Sequence, residues 1–255
     1  WTDLILKPKS RNVFVIVNLV FSMALQAVGV YGLVTSKEKD LTELQETMAK
    51  NEELIAQQNK ETEKPKKEET KKEEGKQETK DYSKSGNSQK VSKEGLVFLG
   101  DSVMLSAANY IQEKYPDCHI DAAVSRHIGQ EQDPYKVMVN NGWVHDTVVV
   151  SLGTNGTLYD FAVESLLELI GEDHSIFWVN NYGPHLQWQD SNNAYLQEVA
   201  KNHSNVTIID WYSLVSAHPE WLSGDGVHPN DEGAKAFTDL IDQSLNDVIE
   251  KQKAD

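Results

Sequence analysis

The sequence is almost without cysteine: Cys118 is the only one in 255 residues, so no disulfide can form within the chain. Its apolar setting, from Cys118 to Val124, reads as a buried and inert thiol. Positive charge is equally scarce where nucleic acid would need it. From Gly95 onward 7 Lys and Arg stand against 24 Asp and Glu, so nearly all of the formal charge of -16 sits there. Such a surface repels phosphate, which argues against nucleic acid and anionic lipid as direct partners and leaves room for a neutral or sugar-like substrate. Metal-ligand spacing is missing too. No second His or Cys accompanies His228 at the separation zinc requires, so no metal is expected. There is no initiator Met, and no small-residue cleavage site follows the first apolar run, so that run does not read as a clean signal peptide.

What is present falls into three parts. Val13 to Val34 carries no charge over 22 residues. As a helix that is about 33 Å, enough for a hydrocarbon core of about 30 Å. Asn18, Ser22, Gln26, Gly29 and Gly32 recur at spacings of three or four and would form a small, polar stripe suited to packing on other membrane helices. Lys7, Lys9 and Arg11 precede the run, and balanced charge follows it, which places everything after Thr35 outside the cytoplasm. Residues 1–35 therefore read as a cytoplasmic stub and a transmembrane helix, and the start at Trp1 as the C-terminal piece of a longer protein.

Residues 36–94 read as a charged, largely disordered linker. Leu41, Leu44, Met48 and Ile55 give a short helical pattern, in which Asn51 would break any coiled-coil seam. From Lys60 to Lys93 almost nothing is apolar, too little to offset the entropy of ordering.

Residues 95–255 form the globular part. Apolar runs at Leu96–Leu99, His119–Val124, Asp146–Leu152, Ser175–Asn180 and Val206–Asp210 read as strands. Helical patterns lie between them at Val103–Lys114, Tyr159–Leu169 and Asn192–Lys201, with a last one at Asp231–Ile249. Strands this apolar, separated by helices, imply an α/β fold: a three-layer parallel sheet with helices on both faces. Active groups in such folds gather beyond the carboxyl ends of the strands.

Three motifs fall at those ends. Gly-Asp-Ser102 follows the first strand and opens a helix, whose N-terminal N–H groups favour negative charge, although Ser102 there can also be a plain cap. Gly-Thr-Asn155-Gly follows the third strand, where a side-chain amide can aim at an oxyanion. Asp225-Gly-Val-His228-Pro precedes the last helix. Its Asp and His, three apart across a turn, can face each other and leave one imidazole nitrogen for Ser102.

Taken in this order, the motifs resemble the SGNH hydrolase superfamily from Leu96 to the C-terminus. The resemblance implies Ser102 as nucleophile, with Asp225 and His228 completing the triad. It implies an oxyanion hole made by the N–H of Ser102, an N–H after the second strand, and the Asn155 side chain. The family usually has glycine at the second of these; here Asp121-Ala-Ala-Val-Ser125 puts a serine there, with Gly129 as the alternative donor.

The membrane run, charged linker and SGNH motifs together resemble the C-terminal part of bacterial peptidoglycan O-acetyltransferases of the acyltransferase 3 family. That resemblance implies an extracytoplasmic serine acyltransferase at the cell membrane, needing no cofactor. Its acceptor would be a cell-wall glycan, with the muramic acid C6 hydroxyl implied. Its acetyl donor would come from a membrane acyltransferase domain. A carbohydrate esterase with the same triad and a non-catalytic cell-wall-binding module are the alternatives. Asn181, His185 and Trp188, after the fourth strand, are candidate acceptor contacts. Trp143, Trp178, Trp211 and Trp221 read as packing, and the remaining histidines as surface or structural.

Overall fold

The computed structural model describes residues 38–60 and 90–254. The expected membrane span over 13–34 and the segment 61–89 lie outside the described residues. Among those described, no helix is long and apolar enough to cross a membrane.

Five short strands, β1 (Val97–Gly100), β2 (His119–Ala122), β3 (Thr147–Ser151), β4 (Ser175–Val179) and β5 (Val206–Ile209), form one sheet in the order β2-β1-β3-β4-β5. Every pairing is parallel. β1, β3 and β4 are buried along their whole length, because helices cover both faces. Alternation along β1 feeds two cores. Phe98 joins Val149, Phe177 and Ile209 on one side, and Val97 and Leu99 join Val148, Val150 and Trp178 on the other.

The first core is closed by α2 (Ser102–Ser106), α3 (Ala108–Lys114), α7 (Trp211–Ser216) and α8 (Asp231–Ala254). On α8, Phe237, Ile241 and Leu245 recur at helical spacing and are fully buried. The second core is closed by α4 (Gln132–Asn141), α5 (Asp160–Ile170) and α6 (Gln189–Asn202). Strand order reverses between β1 and its neighbours β2 and β3, so the crevice beyond their carboxyl ends is the topological switch point where such folds bind ligands.

Three expectations change. The helix anticipated over Val103–Lys114 is two helices, interrupted at Ala107. Helices α4 and α7 did not stand out; α4 has a weak apolar face, with only Tyr135 and Met138 buried. The larger change concerns 36–94. Residues 38–60 are a helix, α1, whose Leu44, Met48 and Ile55 are buried in the first core with Ala108, Ile111 and Leu245. The packed unit therefore begins at Leu44 rather than at Gly95. Burial of three such side chains contributes about 1.5–3 kcal/mol each, which is enough to hold a helix too polar to be stable alone. Cys118 is buried, and burial pushes its thiol up to about 12, which keeps it protonated and unreactive.

Candidate active site

β1 runs straight into Asp101 and Ser102. The Asp101 N–H donates to the Ser151 carbonyl at 3.0 Å, so the ends of β1 and β3 are joined. The Asp101 carboxylate is fully buried; it caps α2 by accepting from the Val103 N–H (3.0 Å) and also accepts from the Thr154 N–H (3.2 Å). Burial raises this carboxyl to about 6, against the opposing pull of those hydrogen bonds. Since Asp101 is the cap, Ser102 is the first residue of the helix, among the N–H groups that have no intrahelical acceptor.

The Ser102 Oγ lies 2.8 Å from His228 Nε2. His228 Nδ1 lies 2.6 Å from Asp225 Oδ2, and Asp225 Oδ1 accepts the N–H groups of Val227 (2.9 Å) and His228 (3.1 Å). A carboxylate at Nδ1 requires the proton there, so Nε2 faces Ser102 as an acceptor. Half-burial works to raise the Asp225 carboxyl, but the hydrogen bonds from His228 and Val227 together hold it below its ordinary value. The loop closes locally: Gly226 takes φ +72°, and the Ser223 N–H donates to the His228 carbonyl at 2.8 Å.

After β2, Ser125 has φ +58°, the only positive φ among described non-glycine residues. A side chain in this left-handed region costs about 1–2 kcal/mol. The left-handed turn therefore falls at Ser125, the position where glycine was expected. Gly129 sits further on in a short 3₁₀ turn, Ile128–Gln130, with open space around it. Asn155, after β3, donates from its amide to the Arg126 carbonyl at 3.2 Å, joining this turn to the one carrying Ser125.

No family model matches the chain. Residues of this chain are 33% identical over 167 residues to YrhL of Bacillus subtilis (strain 168), a candidate peptidoglycan O-acetyltransferase. They are 32% identical over 165 residues to the O-acetyltransferase OatA of Staphylococcus aureus (strain NCTC 8325 / PS 47). These alignments cover 64% and 63% of this chain but only 26% of each relative, so the chain spans about a quarter of their length. Among solved structures, the C-terminal catalytic domain of Streptococcus pneumoniae peptidoglycan O-acetyltransferase A, with a methylsulfonyl adduct, superposes with TM-score 0.55 at 27% identity. It matches 61% of this chain and 94% of its own. The domain is similar to that catalytic domain over nearly the latter's whole length.

Two supports of this site have no sequence motif. Asn192, buried in the first turn of α6, donates to the carbonyls of Gly153 (3.0 Å) and Gly156 (2.9 Å) and accepts from the Leu158 N–H (2.9 Å). It brackets the turn that carries Asn155. Gly153 is required there: φ is +119°, and a Cβ would lie 2.3 Å from Asn181 Oδ1. On the other side, the Arg126 guanidinium pairs with Asp121 at 2.5 Å and donates to the Asp121 carbonyl at 2.9 Å, pinning the Ser125 turn.

The candidate acceptor contacts are placed differently from expectation. Asn181 is buried and donates to the Leu152 carbonyl, and the Trp188 indole N–H donates to the Gly153 carbonyl at 3.0 Å. Both polar groups hold the β3 loop in place of facing solvent; only His185 is exposed. Among the described residues no cluster of His, Cys, Asp and Glu is arranged to hold a metal ion.

Glu131 is fully buried, 3.2 Å from Arg126 Nε. Burial pushes its carboxyl up to about 8; Arg126 pulls the other way, but its nearer partner is Asp121. Between the ordinary value near 4.5 and about 8, the folded protein holds a proton that the unfolded chain has released. Stability therefore falls as pH rises through this window. Asp101 contributes similarly only up to about 6. The melting temperature of Glu131→Gln is expected to decline less between pH 6 and 8 than that of the wild type. Equal slopes in thermal melts over that range would argue against a protonated Glu131.

Proposed function

We propose that the chain is an O-acetyltransferase that carries an acetyl group on Ser102 to a hydroxyl of a cell-wall glycan. The observation that carries this reading is the continuous hydrogen-bonded series Ser102–His228–Asp225 at the switch point of an SGNH fold. Its likeness to proteins named for peptidoglycan O-acetyl transfer supports the substrate class.

In the first half-reaction, His228 Nε2 takes the Ser102 proton as Oγ attacks the acetyl carbonyl. The oxyanion of the tetrahedral intermediate is held by the N–H groups of Ser102 and Ser125 and the Asn155 amide. The imidazolium, stabilised by Asp225, then passes its proton to the departing oxygen of the donor, leaving acetyl-Ser102. In the second half, Nε2 takes the proton of a glycan hydroxyl, whose oxygen attacks the acetyl carbonyl. Collapse returns the proton to Ser102 Oγ and releases the acetylated glycan. The muramic acid C6 hydroxyl is the proposed acceptor. The uncharged run over 13–34 would anchor the domain on the outer side of the membrane, near a membrane domain that supplies acetyl groups.

Transfer is tested by supplying an aryl acetate donor with chitin or muropeptide oligomers and following products by mass spectrometry. Acetylated glycan should accumulate, in proportion to acceptor concentration. Release of acetate alone, unaffected by acceptor, would overturn transfer in favour of an esterase.

A further inference from the structure

α2, the helix that presents Ser102, is only five residues long and ends inside the protein. The break at Ala107 leaves carbonyls at its C-terminal end that the next helix does not use. They are answered from far away in sequence. Asn51 of α1, itself buried, donates from its amide to the Leu105 carbonyl at 2.8 Å and, more weakly, to the Ser106 carbonyl at 3.3 Å. Ser106 in turn donates from Oγ to the carbonyl of Ser102 at 2.8 Å. A series of polar contacts thus runs from α1, through the back of α2, to the backbone of the residue that presents the nucleophile.

The residues flanking Asn51 on α1 suit this task. Leu44, Met48, Asn51 and Ile55 share one face, and the three apolar ones are buried in the core against which α2 and α3 pack. An amide buried among such neighbours is tolerated only where its hydrogen bonds are made. The polar interruption that argues against a coiled coil is therefore matched to the C-terminal end of α2, where the Leu105 and Ser106 carbonyls accept from it.

We propose that α1 is a working part of the catalytic unit and that Asn51 is a positioning residue for Ser102, acting through Ser106 and the C-terminal end of α2. This rests on Ser102 being the nucleophile. In a helix this short, loss of its rear anchor lets the first turn shift, and with it both the Oγ that faces His228 and the Ser102 N–H.

The test uses the full chain and hydrolysis of an aryl acetate, a readout of Ser102 chemistry alone. Asn51→Leu keeps size and burial but removes the donor; Asn51→Asp keeps shape and sets an acceptor against two carbonyls. Val206→Ala, at the edge of the sheet on β5, serves as a control that lowers stability alone. Assayed well below every melting temperature, Asn51→Leu should lower kcat about tenfold, with KM unchanged. Asn51→Asp should lose more. Val206→Ala should melt lower and keep its kcat. The inference is overturned if both Asn51 variants turn over within twofold of the wild type. It is equally overturned if kcat follows melting temperature alike in all three variants. Failure of the underlying reading looks different: Ser102→Ala would then be as active as the wild type.

Discussion

Ser102→Ala and His228→Ala are each expected to lower kcat by roughly 10⁶, and Asp225→Ala by about 10⁴, as in serine enzymes whose triads act as a unit. The geometry explains the asymmetry. In the proposed mechanism Ser102 supplies the bond-forming oxygen, and His228 Nε2, 2.8 Å away, is the base that meets it. Asp225 touches neither donor nor acceptor. It fixes the tautomer through the 2.6 Å contact at Nδ1 and fixes the loop through the Val227 and His228 N–H groups. Asp225→Asn separates these duties. An asparagine carbonyl can still accept from the two backbone N–H groups, but its NH₂ turned toward Nδ1 would favour the wrong tautomer. It should therefore fold like the wild type and still lose a factor on the order of 10⁴. Initial rates on an aryl acetate, beside mass spectrometry for acetyl-Ser102, measure the series. Wild-type turnover in Ser102→Ala would refute the assignment, and so would an acetyl group on any other residue.

The strands were most legible at the centre of the sheet, where β1, β3 and β4 are buried on both faces and appear as apolar runs between turn residues. Their ends shifted by one or two residues. For example, the run Asp146–Leu152 pairs only over Thr147–Ser151. The meeting of Ser102, Asp225 and His228 was also legible, since each lies in a short motif whose order along the chain carries information. What was not legible depends on contacts distant in sequence. Asn192 lies on α6, more than thirty positions from the Gly153 and Gly156 carbonyls that it holds. Asn181 and Trp188 resemble surface polar and aromatic residues until the β3 loop is folded against them. Helix α1 is the strongest case. Its composition is that of a linker, and only the waiting apolar surface and two carbonyls behind α2 make it part of the domain.

Asn155→Ala is expected to cut kcat by about 10²–10³ with little change in KM, because in the proposed mechanism the amide bonds the oxyanion, not the ground-state carbonyl. One amide hydrogen serves the Arg126 carbonyl, which orients the group and leaves the second hydrogen for substrate. Ser125 calls for a different design, since the proposed donor is its backbone N–H. Ser125→Ala keeps the N–H and should stay within about tenfold of the wild type. Ser125→Gly keeps it too and relieves the left-handed strain at φ +58°, so it should stabilise the protein by about 1 kcal/mol at near-normal rate. Ser125→Pro removes the donor and cannot adopt a positive φ, so it should lose both activity and stability. Urea melts with initial rates separate the two effects. The Gly and Ala variants isolate strain from donation, as both retain the N–H. The location of the donor is read most directly from a sulfonyl adduct on Ser102. Its oxygen should lie about 2.7–3.1 Å from the N–H groups of Ser102 and Ser125 and from the Asn155 amide. An adduct oxygen bonded to the Gly129 N–H, with Ser125 turned away, would move the second donor one turn down the loop.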